Sequence, residues 1–220
     1  MSQIKIIEIK EGIFEQNNQT AQELRNRLKE DKTLLINLMS SPGSGKTTTL
    51  VSTIEALKND IRIGVMEADI DSDVDARSID QTGARVVQLH TGGMCHLDAE
   101  MTRQGIEALD PSGLDLVILE NVGNLVCPAE FDTGAHKNVM ILSVPEGDDK
   151  PLKYPLMFSI VDLVLVNKID AADFFDFDLD LFRRRLAKIN PEIGVIPISA
   201  KTGQGMTPWF DWLKQQVHKL

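Results

Sequence analysis

Eight residues at positions 40–47, SSPGSGKT, have the types and spacing of a phosphate-binding loop (P-loop). The two glycines let the backbone approach phosphate oxygens, and Lys46 supplies a positive charge for the β- and γ-phosphates of a nucleotide. The Thr47 hydroxyl is suited to binding Mg²⁺. Ser40 stands where the motif usually begins with glycine, but the close-approach glycines and the Lys-Thr pair remain. The residues expected to contact the nucleotide here are Gly43, Ser44, Gly45, Lys46, Thr47 and Thr48.

Two later segments suit a guanine base. The segment NKID at 167–170 follows an apolar run, and the Asp170 carboxylate can accept hydrogen bonds from both the ring N–H and the amino group of guanine. The segment SAK at 199–201 follows the last apolar run, where a backbone amide and the stem of a lysine can meet the base. With the P-loop, these segments predict GTP or GDP as the ligand. The predicted base-binding residues are Asn167, Lys168, Asp170, Ser199, Ala200 and Lys201.

Five carboxylates lie within nine residues at 67–75, directly after an apolar run. Their spacing does not match an EF-hand, because a valine replaces the glycine that its sharp turn requires. We predict a switch loop in which Asp69, with Asp75, orders Mg²⁺ directly or through water, together with the P-loop threonine. The other two aspartates, Asp71 and Asp73, better fit a solvated acidic loop.

A second predicted switch is ENVG at 120–123, where a carboxylate and a glycine close another apolar run. The amide of Gly123 is suited to sensing a γ-phosphate, which is present only in the triphosphate state. The residues expected to act in catalysis are Lys46, Thr47, Asp69 and Glu120.

Cys95, His96 and Cys127 form a possible soft-metal site. Thiolate and imidazole suit Ni²⁺ or Zn²⁺ far better than Mg²⁺. Three ligands are one fewer than tetrahedral zinc needs, so water or a second subunit would complete the site. The alternative is that both cysteines are small buried apolar residues.

Alternating strand and helix patterns predict an α/β fold with a three-layer, doubly wound, mostly parallel sheet, as in a P-loop NTPase or G domain. We expect an N-terminal extension with a lead-in helix at 1–33 and a P-loop GTPase domain at 34–220. The predicted strands are 34–39, 61–66, 85–89, 114–119, 139–144, 160–166 and 193–198. The predicted helices are 18–31, 46–58, 99–109, 179–188 and 208–219.

Composition restricts the class of protein. The chain has 220 residues, 42% hydrophobic and 25% charged, which is typical of one globular domain. Its 33 acidic and 23 basic residues give a net charge of -10, which disfavours binding to nucleic acid. No apolar run reaches the ~18 residues of a membrane span, and two cysteines do not make a secreted disulfide framework, so we expect a cytoplasmic protein without a membrane partner.

Three segments resemble the HypB-type hydrogenase-maturation GTPases: CHLDA at 95–99, ENVGNLVCP at 120–128 and EGDDKPLKYP at 146–155. The similarity runs from about residue 34 to 213. It implies a GTP-hydrolysing nickel metallochaperone that helps load [NiFe]-hydrogenase, with a related accessory protein in urease assembly. It further implies that Cys95, His96 and Cys127 form the Ni²⁺ or Zn²⁺ site at a GTP-promoted homodimer interface. The implied partners are a nickel-donor accessory maturation protein and the precursor of the hydrogenase large subunit.

Three further expectations concern the N-terminal residues, two lysines and an alternative function. Many relatives have an N-terminal cysteine motif or histidine-rich tract, whereas residues 1–33 contain neither residue type, so no second metal reservoir is expected. Lys150 and Lys153 lie in a proline-bounded loop that suits a surface turn or a dimer contact. The chain could instead be a G-protein chaperone or regulatory switch for another metalloenzyme, with zinc purely structural.

Overall fold

A seven-stranded sheet forms the centre of the molecule. The computed structural model describes residues 9–69 and 74–220, with side chains from Phe14 onward. The strands are β1 (Leu34–Ser40), β2 (Ile63–Asp69), β3 (Arg85–His90), β4 (Leu116–Glu120), β5 (Lys137–Ser143), β6 (Leu163–Asn167) and β7 (Gly194–Pro197). Their order in the sheet is β3-β2-β4-β1-β5-β6-β7, and every pairing is parallel.

Helices cover both faces of this sheet. The helices are α1 (Ile9–Glu30), α2 (Lys46–Leu57), α3 (Val74–Asp80), α4 (Ala99–Leu109), α5 (Lys150–Lys153), α6 (Pro155–Ile160), α7 (Leu179–Ala187) and α8 (Met206–Lys219). Helices α2, α3 and α8 pack on one face, and α1, α4, α6 and α7 pack on the other. Among the described residues, no helix combines the length and apolar character needed to cross a membrane.

The apolar runs become strands because they are buried on both faces. In β1, Leu34, Ile36 and Leu38 pack into the core beneath α2 and α8, whereas Leu35 and Met39 pack on the opposite face. Parallel strands covered by helices have this nearly continuous hydrophobic sequence. The predicted three-layer α/β fold is therefore confirmed, and the sheet is fully rather than mostly parallel.

Several predicted elements differ in extent. Helix α1 begins at Ile9 rather than at residue 18, and β2 ends at Asp69 rather than at residue 66. The prediction of one acidic loop over 67–75 was wrong at both ends, because residues 67–69 complete β2 and Val74 begins α3. The centre of that loop, with Asp71 and Asp73, lies outside the described residues.

The prediction of a proline-bounded loop after β5 was also wrong, because most of this segment is helical. Pro151 and Pro155 each occupy the first turn of a short helix, α5 and α6. Proline is tolerated there because the amide of the first turn has no partner within the helix. Helix α6 ends at Ile160, so β6 begins at Leu163 rather than at residue 160.

Candidate functional site

The P-loop joins β1, the central strand, to the N-terminus of α2. Gly45 has φ +98°, and a Cβ atom there would lie 2.5 Å from Asn167 Nδ2, so both the backbone angle and the close approach require glycine. The Lys46 ammonium donates a hydrogen bond to Ser40 Oγ over 3.0 Å. The serine that replaces the usual first glycine thus holds the lysine against the loop.

The segment after β6 is tied to the P-loop. Asn167 Nδ2 donates to the Ser44 carbonyl over 2.9 Å, and its Oδ1 accepts from the Ala200 amide over 3.0 Å. Lys168, with φ +65°, donates from Nζ to the Gly43 carbonyl over 2.6 Å. The predicted base-binding segments and the P-loop therefore form one hydrogen-bonded unit.

Other predicted nucleotide contacts lie around this unit. Asp170 is exposed in the 3₁₀ turn Ile169–Phe174, which leaves its carboxylate open to a base. Thr48 and Lys201 are exposed, whereas Ser199 is buried. The Ala200 amide is already used by Asn167, so in this arrangement it orders the segment.

A cavity of about 280 Å³ lies at the carboxyl ends of β2 and β4, beside the P-loop. Asp69 and Asp75, the predicted Mg²⁺ ligands, both line it. The Thr47 hydroxyl donates to Glu120 Oε1 over 3.2 Å, which brings the predicted switch carboxylate to the P-loop threonine. The cavity is lined by Pro42, Gly43, Lys46, Glu67, Ala68, Asp69, Asp75, Glu120, Asn121, Val122 and Gly123.

Two buried carboxyl groups, Glu67 and Glu120, occupy paired positions on β2 and β4. Burial raises the pKa of Glu67 to about 8, and the charges of Glu120, Asp69 and Asp75 raise it further. Burial likewise raises the pKa of Glu120 to about 7, against the lowering effect of Lys46. At neutral pH these groups hold protons more readily than ordinary glutamates do.

The oxygen ligands of this cavity fit a hard divalent cation. Glu67 Oε2 and Glu120 Oε2 are buried and have no hydrogen-bond partner within the described residues. A cation would satisfy these oxygens, and carboxylate and hydroxyl oxygens are the ligands that Mg²⁺ prefers. Burial of Glu67 was missed in the sequence, although its position at the end of an apolar run was a usable signal.

The second predicted switch, at 120–123, is hydrogen-bonded to β1, the strand that leads into the P-loop. The Asn121 amide donates to the Leu38 carbonyl over 3.0 Å, and its Nδ2 donates to Asn37 Oδ1 over 3.1 Å. A Cβ atom on Gly123 would lie 3.2 Å from the backbone of Pro42. Glycine thus lets this segment lie directly against the phosphate-binding loop.

Cys95, His96 and Cys127 come together as a cluster, with ligand atoms within 4.8 Å of one another. Cys95 Sγ and His96 Nδ1 are 4.0 Å apart. All three residues are half-buried, so neither cysteine is the fully buried apolar residue of the alternative interpretation. A hydrogen bond with Cys95 raises the pKa of the Cys127 thiol, and a bound metal would displace that proton.

This cluster is connected to the second switch by Asn124. Its Nδ2 donates to the Cys95 carbonyl over 3.4 Å, and its Oδ1 accepts from the Val126 amide over 2.8 Å. Cys127 begins a 3₁₀ turn that ends at Ala129. One short segment therefore lines the cavity beside the P-loop (the nucleotide cavity) at Gly123 and supplies the Cys127 thiol four residues later.

Sequence reasoning also missed a link between the P-loop and the segment after β5. The Ser41 hydroxyl donates to Glu146, whose carboxylate caps its own turn by accepting from Ser143. Lys150 Nζ lies 3.9 Å from Glu146 Oε2, and Lys153 pairs with Asp149 over 2.6 Å. The contact between Ser41 and Glu146 joins residues about a hundred positions apart, and no local pattern signals it.

The family model described as CobW/HypB/UreG, nucleotide-binding domain, matches residues 34–197. The chain belongs to the CobW/HypB/UreG family. The match agrees with the P-loop and with the resemblance seen in the sequence.

Individual members of the CobW/HypB/UreG family extend the match to nearly the whole chain. Hydrogenase maturation factor HypB from Escherichia coli is 44% identical, over 98% of this chain and 74% of that protein. The crystal structure of HypB from Helicobacter pylori in complex with nickel is 36% identical with a TM-score of 0.88, covering 93% of this chain and 96% of the other. HypB from Archaeoglobus fulgidus is also 36% identical, with a TM-score of 0.85, covering 92% and 98%.

Proposed function

We propose that this protein is a GTP-hydrolysing nickel metallochaperone that assists nickel insertion during [NiFe]-hydrogenase maturation. The observation that carries the proposal is the cluster of Cys95, His96 and Cys127, joined through one short segment to the nucleotide cavity. Similarity to hydrogenase maturation factors named HypB, one of them solved with nickel, supports the same function.

The nucleotide is GTP or GDP bound with Mg²⁺. Lys46 holds the β- and γ-phosphates, while Thr47, Asp69 and Asp75 hold Mg²⁺ directly or through water. Asp170 selects guanine through its ring N–H and amino group. Lys46 stabilises the negative charge that develops on the phosphate oxygens during hydrolysis, and Thr47, Asp69 and Glu120 contribute to catalysis by positioning the Mg²⁺ that would neutralise it further. The remaining nucleotide contacts are Gly43, Ser44, Gly45, Thr48, Gly123, Asn167, Lys168, Ser199, Ala200 and Lys201.

Nucleotide state controls metal affinity in this proposal. Gly123 responds to the γ-phosphate, and Cys127 moves with it relative to Cys95 and His96. A ligand shifts such an equilibrium only when it binds the two states differently, so metal affinity must differ between the GDP and GTP states.

Assembly and location extend the proposal. Three protein ligands leave room for water or for a second copy of the chain, which favours a metal site shared in a GTP-promoted homodimer. Its further partners are a nickel-donor accessory protein and the hydrogenase large subunit precursor, in the cytoplasm. Residues 1–33 are the extension, whose first eight residues lie outside the described part of the chain and whose remainder contains the lead-in helix α1, and residues 34–220 are the GTPase domain.

The test is a titration of Ni²⁺ and Zn²⁺ into the protein with GDP or a non-hydrolysable GTP analogue, with mass measured in solution. We expect affinity to depend on nucleotide and to fall in Cys127→Ser and His96→Ala. His218→Ala is the matched control, because His218 is exposed on α8. Equal affinity in both nucleotide states would refute the coupling.

A second function is favoured if the cluster holds zinc permanently. The protein would then be a guanine-nucleotide switch whose output is partner binding, and its metal would neither respond to nucleotide nor transfer to a chelator. The number of protein ligands argues against this, because a structural zinc site has four of them and the cluster has three among the described residues.

A further inference from the structure

An aromatic contact holds the imidazole of the metal cluster. The His96 and Phe131 rings are stacked, with centroids 4.1 Å apart and an angle of 16° between planes. Phe131 lies four residues after Cys127, on the segment that carries the second thiol. The segment bearing one ligand thus fixes the ring plane of another.

Stacking on the ring face leaves both imidazole nitrogens available. They lie at the ring edge, and Nδ1 is 4.0 Å from Cys95 Sγ. A metal-bound histidine is usually oriented by a hydrogen bond from its second nitrogen. Within the described residues, His96 has no such hydrogen bond beyond its contact with Cys95, and the stacked ring of Phe131 constrains the plane of the imidazole.

Helix α1 contacts both ligand-bearing segments. Asn17 Oδ1 accepts from the Ala99 amide over 2.9 Å, three residues after His96. Its Nδ2 donates to the Asp132 carbonyl over 2.9 Å, directly after Phe131. The Asn17 side chain and the Ala99 amide are buried, so the hydrogen bond between them is shielded from water, whereas the one to the Asp132 carbonyl is partly buried.

Two further contacts from α1 reinforce the same link. Phe14 packs against Phe131, with ring centroids 5.1 Å apart. Arg25 Nη2 donates to both carboxylate oxygens of Asp132, over 2.7 Å and 2.8 Å, and Arg25 Nε donates to the Ala135 carbonyl over 3.0 Å. The helix is therefore anchored on the segment after Cys127.

We propose that α1 is a brace for the metal site, with Phe131 and Asn17 as positioning residues. Phe131 orients the His96 ring, and Asn17 fixes the spacing between the two segments that carry the ligands. Preorganised ligands avoid the entropy cost of ordering on binding. The inference rests on the proposed function only in requiring that this cluster binds Ni²⁺ or Zn²⁺.

Paired variants of the full chain test the brace. Phe131→Leu removes the aromatic face that stacks on His96, whereas Phe131→Tyr keeps it. Phe210→Leu is the matched control, because Phe210 is partly buried on α8, on the opposite face of the sheet. Asn17→Ala removes both hydrogen bonds, and Asn18→Ala is its control on the exposed face of α1.

Three measurements are made on each protein: Ni²⁺ and Zn²⁺ affinity by competition with a chromogenic chelator, the nickel–thiolate absorption band, and GDP affinity. Loss of an orienting partner weakens metal binding by about 10- to 100-fold. We expect that loss in Phe131→Leu and Asn17→Ala, recovery to within a few-fold in Phe131→Tyr, and unchanged GDP affinity throughout.

The outcomes separate the brace from the proposed function. If wild-type binding depends on Cys127 while Phe131→Leu and Asn17→Ala bind as tightly as wild type, the brace is wrong and the proposed function stands. If wild type binds neither metal at this cluster, both are wrong. Equal losses in Phe210→Leu, or loss of GDP affinity alongside metal affinity, would mean general destabilisation and overturn a positioning role.

Discussion

Replacing Glu67 by glutamine should change how the stability of the protein depends on pH. The folded state holds the pKa of Glu67 at about 8, well above the usual 4.5. A carboxyl group with a raised pKa contributes stability that is complete below its unfolded pKa and is lost as pH rises through the folded value. Wild type should therefore lose stability between about pH 5 and pH 8, and Glu67→Gln should lose less.

The size of the effect follows from one proton. Each pH unit within this window changes the free energy of unfolding by about 1.4 kcal/mol for each proton that the folded state retains. Between pH 5 and pH 7 the wild-type curve should therefore fall by about 3 kcal/mol more than the Glu67→Gln curve. Domains are typically stable by only about 5–15 kcal/mol, so this difference is measurable.

The assay is urea unfolding in the presence of a chelator and without nucleotide, at half-unit steps from pH 5 to pH 8. Glu192→Gln is the control, because Glu192 is exposed. Its curve should run parallel to wild type. If the Glu67→Gln curve also ran parallel to wild type, the carboxyl would be ionised in the folded state and the account of the cavity would be refuted.

Two further predictions concern the nucleotide. Asp170→Asn should weaken GTP binding by orders of magnitude and favour xanthosine triphosphate, because xanthine has a carbonyl where guanine has its amino group. Competition with a fluorescent nucleotide measures both affinities. An unchanged affinity for GTP would contradict the assignment of Asp170 to the base. Gly45→Ala should destabilise the protein by about 1–3 kcal/mol and lower GDP affinity at least tenfold, because its Cβ meets Asn167 at 2.5 Å with φ +98°. Gly83→Ala has a similar φ of +81° but open space, so thermal unfolding should show only the backbone strain and GDP affinity should be retained.

The nucleotide site could be predicted from the sequence because its signals are local. A P-loop needs its glycines, lysine and threonine within eight residues, and the strand before it and the helix after it have their own periodicities. The segments at 167–170 and 199–201 are recognisable for the same reason, as polar residues that directly follow apolar runs. Hydrophobic patterning likewise predicted all seven strands, with ends shifted by a few residues.

Helix extent was less predictable where polar residues dominate. Acidic residues at 67–75 indicated a loop, yet both ends of that segment belong to regular elements, because β3 and α2 provide neighbours for them. The short helices α5 and α6 were missed because proline reads as a helix breaker, while its place in a first turn depends on where the helix begins.

The sequence alone therefore determined the α/β architecture and predicted the ligand class and the candidate site residues, since each motif and each apolar run consists of residues close together in the chain. Only the tertiary structure decided which groups face one another. Strand β4 lies between β1 and β2, which pairs Glu67 with Glu120, and the fold brings Asn167 to the P-loop and α1 to the metal cluster. The physical reason is that these contacts join residues from about 30 to 120 positions apart, and their existence depends on strand order and helix packing rather than on any local pattern.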